Sequence, residues 1–246
     1  MSAEKPRERP ILFNDQMVRA ILEGRKTVTR RAVKGLQIPT EDKTTPHEGL
    51  RWSALGQRHL RYGFNVFGST EEECAHELAR CGVCPFGKPG DRLWVRETHA
   101  QVFEVDIPDG RPAGPIGTAG SPGRPDWKCR YVYRSDGEMP NVQWHHVGDS
   151  QPVRWTPSIH MPRRASRILL EITAVRVERL QDISEKQALA EGVELEGEGV
   201  CWAGAAGTAS DSPVESFRLL WELINGAGSW NANPWVWVVE FKRVTP

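Results

Sequence analysis

The chain has 246 residues, 32 Lys and Arg against 32 Asp and Glu, and 39% hydrophobic residues. That length buries a sizeable core without disulfide support, and zero net charge excludes a protein that coats nucleic acid by bulk electrostatics. No run of about 18 apolar residues occurs and the opening MSAEKPRERP is charged, so neither a membrane span nor a secretory signal is expected, and the five cysteines read as reduced thiols of a cytoplasmic protein.

In chain order, a short apolar strand at Ile11–Phe13 runs into Asn14 or Asp15, either of which caps a helix whose apolar residues are Met17, Val18, Ala20, Ile21 and Leu22. Gly24 stands where a helix C-cap places it, and the alternating, β-branched Lys26 to Arg31 reads as a strand. Residues 32–89 show no sustained period and read as an insertion packed on the surface, with a short acidic helix near Glu71–Ala79. A turn at Gly87–Asp91 leads into the strand Arg92–Glu97. A Gly/Pro loop fills 105–127, within a second insertion at 99–150 that also holds a short strand, Arg130–Tyr133. Ser166–Leu180 is the clearest strand region, and its apolar phase changes near Thr173-Ala174, as a β-bulge requires. Ser184 and Gln187 form a capping-box pattern before a helix that ends at Gly192. A second helix covers Pro213–Ile224, and the last strand, Pro234–Arg243, alternates Trp235, Trp237, Val239 and Phe241 on one face. Strands separated by short helices, with no βαβ repetition, predict an α+β chain built on a small mixed or antiparallel β-barrel.

Charge is unevenly spread: residues 1–68 carry 13 Lys and Arg against 7 Asp and Glu. The densest chemistry is Gly24-Arg25-Lys26-Thr27-Val28-Thr29-Arg30-Arg31. On a strand, Lys26, Val28 and Arg30 share one face and Thr27, Thr29 and Arg31 the other. A lysine beside other cations loses basicity and serves as a base, and a threonine hydroxyl serves as a nucleophile or orients water. The alternative is a solvated basic edge that discourages aggregation. The odd separation of Lys26 and Thr29 requires a bend next to Gly24 if both are to share a pocket. Cys74-x-His76 and Cys81-x-x-Cys84, with Cys129 able to replace His76, supply ligands for a structural zinc, against free or buried thiols as the other reading. His145 and His146 read as surface or loop residues. His160 and Arg163 lie in a loop suited to lining a site, and Trp94 and Trp155 offer faces for stacking on a nucleobase.

The segment Gly24 to Arg31 resembles the G-x-K-x-x-x-x-R signature of the ASCH domain, a relative of the PUA RNA-binding fold, and the chain resembles the longer ASCH proteins of phages and prophages. Arg9–Phe13, Gly90–Glu97, Trp155–Pro162, Ser166–Gly192 and Trp230–Phe241 extend the resemblance; residues 32–86 and 99–150 fall outside it. Within that superfamily Gly24–Thr29 is similar to the active-site strand of small bacterial N4-acetylcytidine amidohydrolases. The resemblance implies Lys26 as proton acceptor, Thr29 as nucleophile, Glu191 as proton donor and Arg31 as a substrate-holding arginine.

The expectation is therefore one PUA-like domain over 1–246, with insertions at 32–89 and 99–150. It is expected to hydrolyse an N4-acylated cytosine nucleoside or nucleotide through Lys26, Thr29 and Glu191, without a catalytic cofactor. Arg30, Arg31, Trp94, His160 and Arg163 are the expected substrate contacts. Two alternatives stand beside it: a module that binds single-stranded RNA or DNA through Lys26, Arg30, Arg31, Arg163, Arg164 and Arg167 without chemistry, and a ribonuclease.

Overall fold

The computed structural model describes residues 5–41, 43, 49–56, 63–103, 129–137, 143–146, 149–152, 154–196 and 199–244; of residues 103, 129, 143–146, 149–152 and 196 it describes the backbone alone. The strands in chain order begin with β1 (Glu8–Leu12), β2 (Val28–Ala32), β3 (Thr40–Glu41), β4 (Trp52–Leu55) and β5 (Asn65–Gly68). They continue with β6 (Arg92–Arg96), β7 (His99–Phe103), β8 (Cys129–Tyr133), β9 (Gln143–His146) and β10 (Asp149–Pro152). The last four are β11 (Leu169–Arg179), β12 (Glu194–Glu196), β13 (Val200–Trp202) and β14 (Trp235–Val244). Four α-helices accompany them: α1 (Asp15–Leu22), α2 (Glu71–Arg80), α3 (Glu185–Ala190) and α4 (Pro213–Asn225). The chain is thus α+β, and none of its helices is long and apolar enough to cross a membrane among the described residues.

Two compact units divide the chain, one made of 1–9, 20–93 and 169–246, the other of 10–19 and 94–168. The strand order of the largest sheet is β1-β6-β11-β14-β2. The expected barrel is corrected: among the described residues the sheets have two, three or five strands, and none is closed.

In the first unit, β14 lies between β11 and β2 and is antiparallel to both. A strand with partners on both edges buries its whole length, so Val236 and Val238 are as buried as Trp235, Trp237, Val239 and Phe241. The expected bulge is present: the β11–β14 register shifts between Ile172 and Ala174, so the apolar set changes phase without leaving the core. Residues 32–89 hold more than a surface excursion. They form the sheet β3-β4-β5 and the helix α2, which packs on β4, β5 and β11 and buries Cys74, Ala75 and Leu78. Thr70 caps α2, accepting from the Glu73 amide at 3.1 Å, and three glutamates in the first turn favour the helix dipole. The strands there are two to four residues long, too short for periodicity to reveal.

The second unit carries the antiparallel pairs β7–β8 and β9–β10. Ala100 and Val102 of β7 are buried, with Val132 and Trp155 packed against them. Residues 104–128, the expected Gly/Pro loop, lie outside the described residues.

Candidate active site

Lys26 sits between the end of α1 and the start of β2. The helix closes at Gly24, whose φ of 78° is the left-handed conformation that glycine adopts without strain. The chain reverses there, and the Lys26 amide donates to the Ala20 carbonyl at 3.0 Å, the Thr27 amide to the Ala190 carbonyl at 2.9 Å. The first bond ties the segment to α1 and the second to α3, whose capping box at Ser184 and Gln187 is formed as expected. Helix α3 ends at Glu191, and Gly192 at φ 102° turns the chain away. A Cβ on Gly192 would lie 3.1 Å from the Ala20 Cβ and 3.3 Å from the Lys26 Cβ. Gly192→Ala therefore combines a disfavoured φ with crowding and is expected to cost about 1–3 kcal/mol in urea denaturation. A change within about 0.5 kcal/mol, the size of an ordinary surface substitution, would show that the turn does not hold Lys26 in place.

This local geometry brings together two residues 165 positions apart. Lys26 Nζ donates to Glu191 Oε2 at 2.7 Å and to the Glu191 carbonyl oxygen at 2.7 Å. The Lys26 side chain is 0% exposed and that of Glu191 4%. The second carboxylate oxygen of Glu191 accepts from Arg30 Nη1 at 3.3 Å, while Arg30 Nη2 donates to Glu178 Oε1 at 2.6 Å. Glu178 in turn accepts from Arg176 Nε at 2.9 Å, and Arg176 pairs with Glu240. The β11–β14–β2 register places Arg30, Glu178, Arg176 and Glu240 on one face of the sheet, which is why alternating charges along β11 meet those of β2 and β14. Burial pushes the Lys26 ammonium below its ordinary range, with Arg31 and Arg30 adding to the effect and Glu191 opposing it. Burial likewise lowers Arg31, against the opposing Glu191 carboxylate.

The structure thus joins Lys26, Glu191 and Arg30 directly, and sets Arg31 within electrostatic reach of Glu191 and Lys26. Thr29 is buried, paired in register with Val239, and its position in β2 puts it on the face opposite Arg30. Its hydroxyl makes no hydrogen bond to Lys26 or Glu191 among the described residues. Trp94, His160 and Arg163 belong to the second unit: Trp94 is half-buried with the Arg96 guanidinium 5.2 Å from its ring centroid, and His160 and Arg163 are exposed on short 3-10 turns. Arg164 Nε donates to the Tyr131 hydroxyl at 3.2 Å.

The expected zinc ligands are dispersed in character. Cys74 is fully buried, its thiol directed to the Val66 carbonyl and pushed up to about 11 by burial. Cys81 is exposed, Cys84 is buried, and the Cys129 side chain lies outside the described residues, as do those of His145 and His146. Among the described residues no group of three or more His, Cys, Asp or Glu is placed to hold a metal.

Sequence reasoning did not single out Glu178, Arg176 and Glu240 as partners of the site, nor Glu97. The Arg-x-Glu spacing on β11 was the available signal for the first two, since residues two apart share a strand face. Glu97, fully buried in the second unit, accepts from Ser135 Oγ at 2.6 Å and from Arg167 Nε and Nη2 at 3.0 and 3.1 Å. Arg167 also pairs with Asp136 and lies 3.9 Å over the Tyr133 ring, so an arginine expected to meet phosphate is instead held within its unit. Comparison with protein families, with curated proteins and with solved structures finds no match to this chain.

Proposed function

We propose that the protein hydrolyses the amide of an N4-acylated cytosine nucleoside or nucleotide, with Lys26 as proton acceptor and Glu191 as proton donor. The observation that carries this reading is the buried 2.7 Å contact between Lys26 Nζ and Glu191 Oε2. Passage of one proton across that contact converts an ammonium–carboxylate pair into an amine and a carboxylic acid. That neutral pair holds an acceptor and a donor at once. Resemblance to the ASCH amidohydrolases, and with them to the PUA-like fold, assigns the same residues the same roles.

In this reading the Lys26 amine takes the proton of the attacking hydroxyl as its oxygen bonds to the acyl carbon. The C–N bond then breaks, and Glu191 delivers its proton to N4 as cytosine leaves. With Thr29 as nucleophile, water next cleaves the acyl ester and restores the hydroxyl; the net reaction consumes one water and releases the amine and a carboxylic acid. Arg31 offers charge to the developing oxyanion. Because Thr29 makes no hydrogen bond to Lys26 in this structure, Thr29→Val separates a threonine nucleophile from a directly activated water. Binding without chemistry is less well supported, since Lys26 and Arg30 are already engaged with carboxylates rather than presented to phosphate.

Incubation of N4-acetylcytidine, its 5′-monophosphate and an acetylated oligonucleotide with the protein, followed by chromatography, is expected to yield the deacylated base with polymer length unchanged. No product from any of the three overturns the hydrolase reading, and a shortened strand replaces it with nuclease activity.

A further inference from the structure

An open groove of about 760 Å³ lies in the first unit where β2, β11 and β14 meet α3. Its walls include Thr27 and Ala190, the chain neighbours of Lys26 and Glu191. Three cations, Arg176, Lys186 and Lys242, line it against a single carboxylate, Glu240. That volume falls within the range of about 300–1,000 Å³ typical of small-molecule sites.

The cations differ in what already occupies them. Lys186 is exposed and has no ion-pair partner among the described residues. Lys242 is 61% exposed and holds Glu171 at 2.9 Å, a contact in water that a ligand can displace at small cost. Arg176 gives Nε to Glu178 and Nη1 to Glu240, which leaves Nη2 as a donor without a partner among the described residues. The Ser184 hydroxyl and the Gln187 side-chain oxygen, by contrast, are taken up in closing α3, while Thr27 and Thr173 add neutral polar residues to the groove wall.

We propose that this groove binds the phosphate of a nucleotide, so that the protein acts on phosphorylated cytosine compounds in preference to free nucleosides. The anion site rests on the groove's own residues, and its assignment to a cytosine nucleotide rests on the hydrolase reading above. Arg176 gives the groove a physical link to the reactive pair. A phosphate that draws Arg176 away from Glu178 leaves that carboxylate more fully to Arg30, which in turn loosens Arg30 from Glu191.

Calorimetric titration at low salt with cytidine, cytidine 5′-monophosphate and a six-nucleotide oligocytidylate tests the proposal. The monophosphate is expected to bind about tenfold more tightly than cytidine, as one hydrogen-bonded charge contact supplies. The double variant Lys186→Glu/Lys242→Glu, altered only at exposed positions, is expected to lose that preference. Equal affinity for cytidine and its monophosphate, absence of binding by both, or a preference that survives the charge reversal overturns the proposal. Tighter binding of the oligonucleotide, with a steeper salt dependence than the monophosphate, identifies a polymer as the source of the phosphate; equal or weaker binding identifies a mononucleotide. Binding is read without turnover. Nucleotide preference without deacylation therefore removes only the hydrolase reading, and deacylation without the preference removes only the groove.

Discussion

Lys26→Ala is expected to lower the rate of N4-acetylcytidine deacylation by about 10²–10⁴-fold, the contribution of a positioned acid–base group. The variant retains Arg30 opposite Glu191, so the buried carboxylate keeps a cation and the fold survives, which circular dichroism checks. Activity of the unaltered protein is expected to fall as pH rises through the depressed Lys26 value, below the ordinary 10.5, because that titration removes the one proton the pair shares and leaves no donor for the departing amine. The same shift affects stability. The unfolded chain binds the Lys26 proton more tightly than the folded one, so stability increases as pH rises from the depressed value toward 10.5. Lys26→Met should remove that slope. A variant that keeps full turnover excludes Lys26 as the proton acceptor.

Arg30→Ala is expected to destabilise the first unit by about 3–5 kcal/mol, the cost of removing one partner from a buried ion pair. Its side chain is 0% exposed and bridges Glu178 and Glu191. The double variant Arg30→Met/Glu178→Gln should recover part of the loss, because it removes the uncompensated carboxylate along with the guanidinium. Equilibrium denaturation of the three proteins measures the coupling. A single-variant loss below about 1 kcal/mol, the value of an exposed pair, would show that these charges are solvated in practice.

The elements with a local physical signal were legible in the sequence: the phase change at Thr173-Ala174, the Ser184–Gln187 box, the acidic helix α2 and the alternation of the last strand. The turn at Gly24 was legible too, although it brings Lys26 to Glu191 and not into hydrogen-bond contact with Thr29. What escaped depends on pairing between distant segments. The strands of residues 32–89 are too short to show a period, and the open sheets in place of a barrel follow from registers that no single strand encodes. The union of Lys26 with Glu191 came from resemblance alone, whereas the link through Arg30 to Glu178 and Arg176 follows from a register that only the folded sheet defines.

The separation of 165 residues between Lys26 and Glu191 also sets an order of events during synthesis. Contacts this far apart in sequence bear a large loop-closure entropy and form late. While α3 is still unmade, Lys26, Arg30 and Arg31 stand as cations without the carboxylates that neutralise them, so the nascent segment stays hydrated and resists premature collapse. Strand β2 waits longer still, because its only partner in the sheet, β14, is made after α3. The residues proposed to perform the chemistry thereby protect the unfinished polypeptide until the chain that completes them arrives.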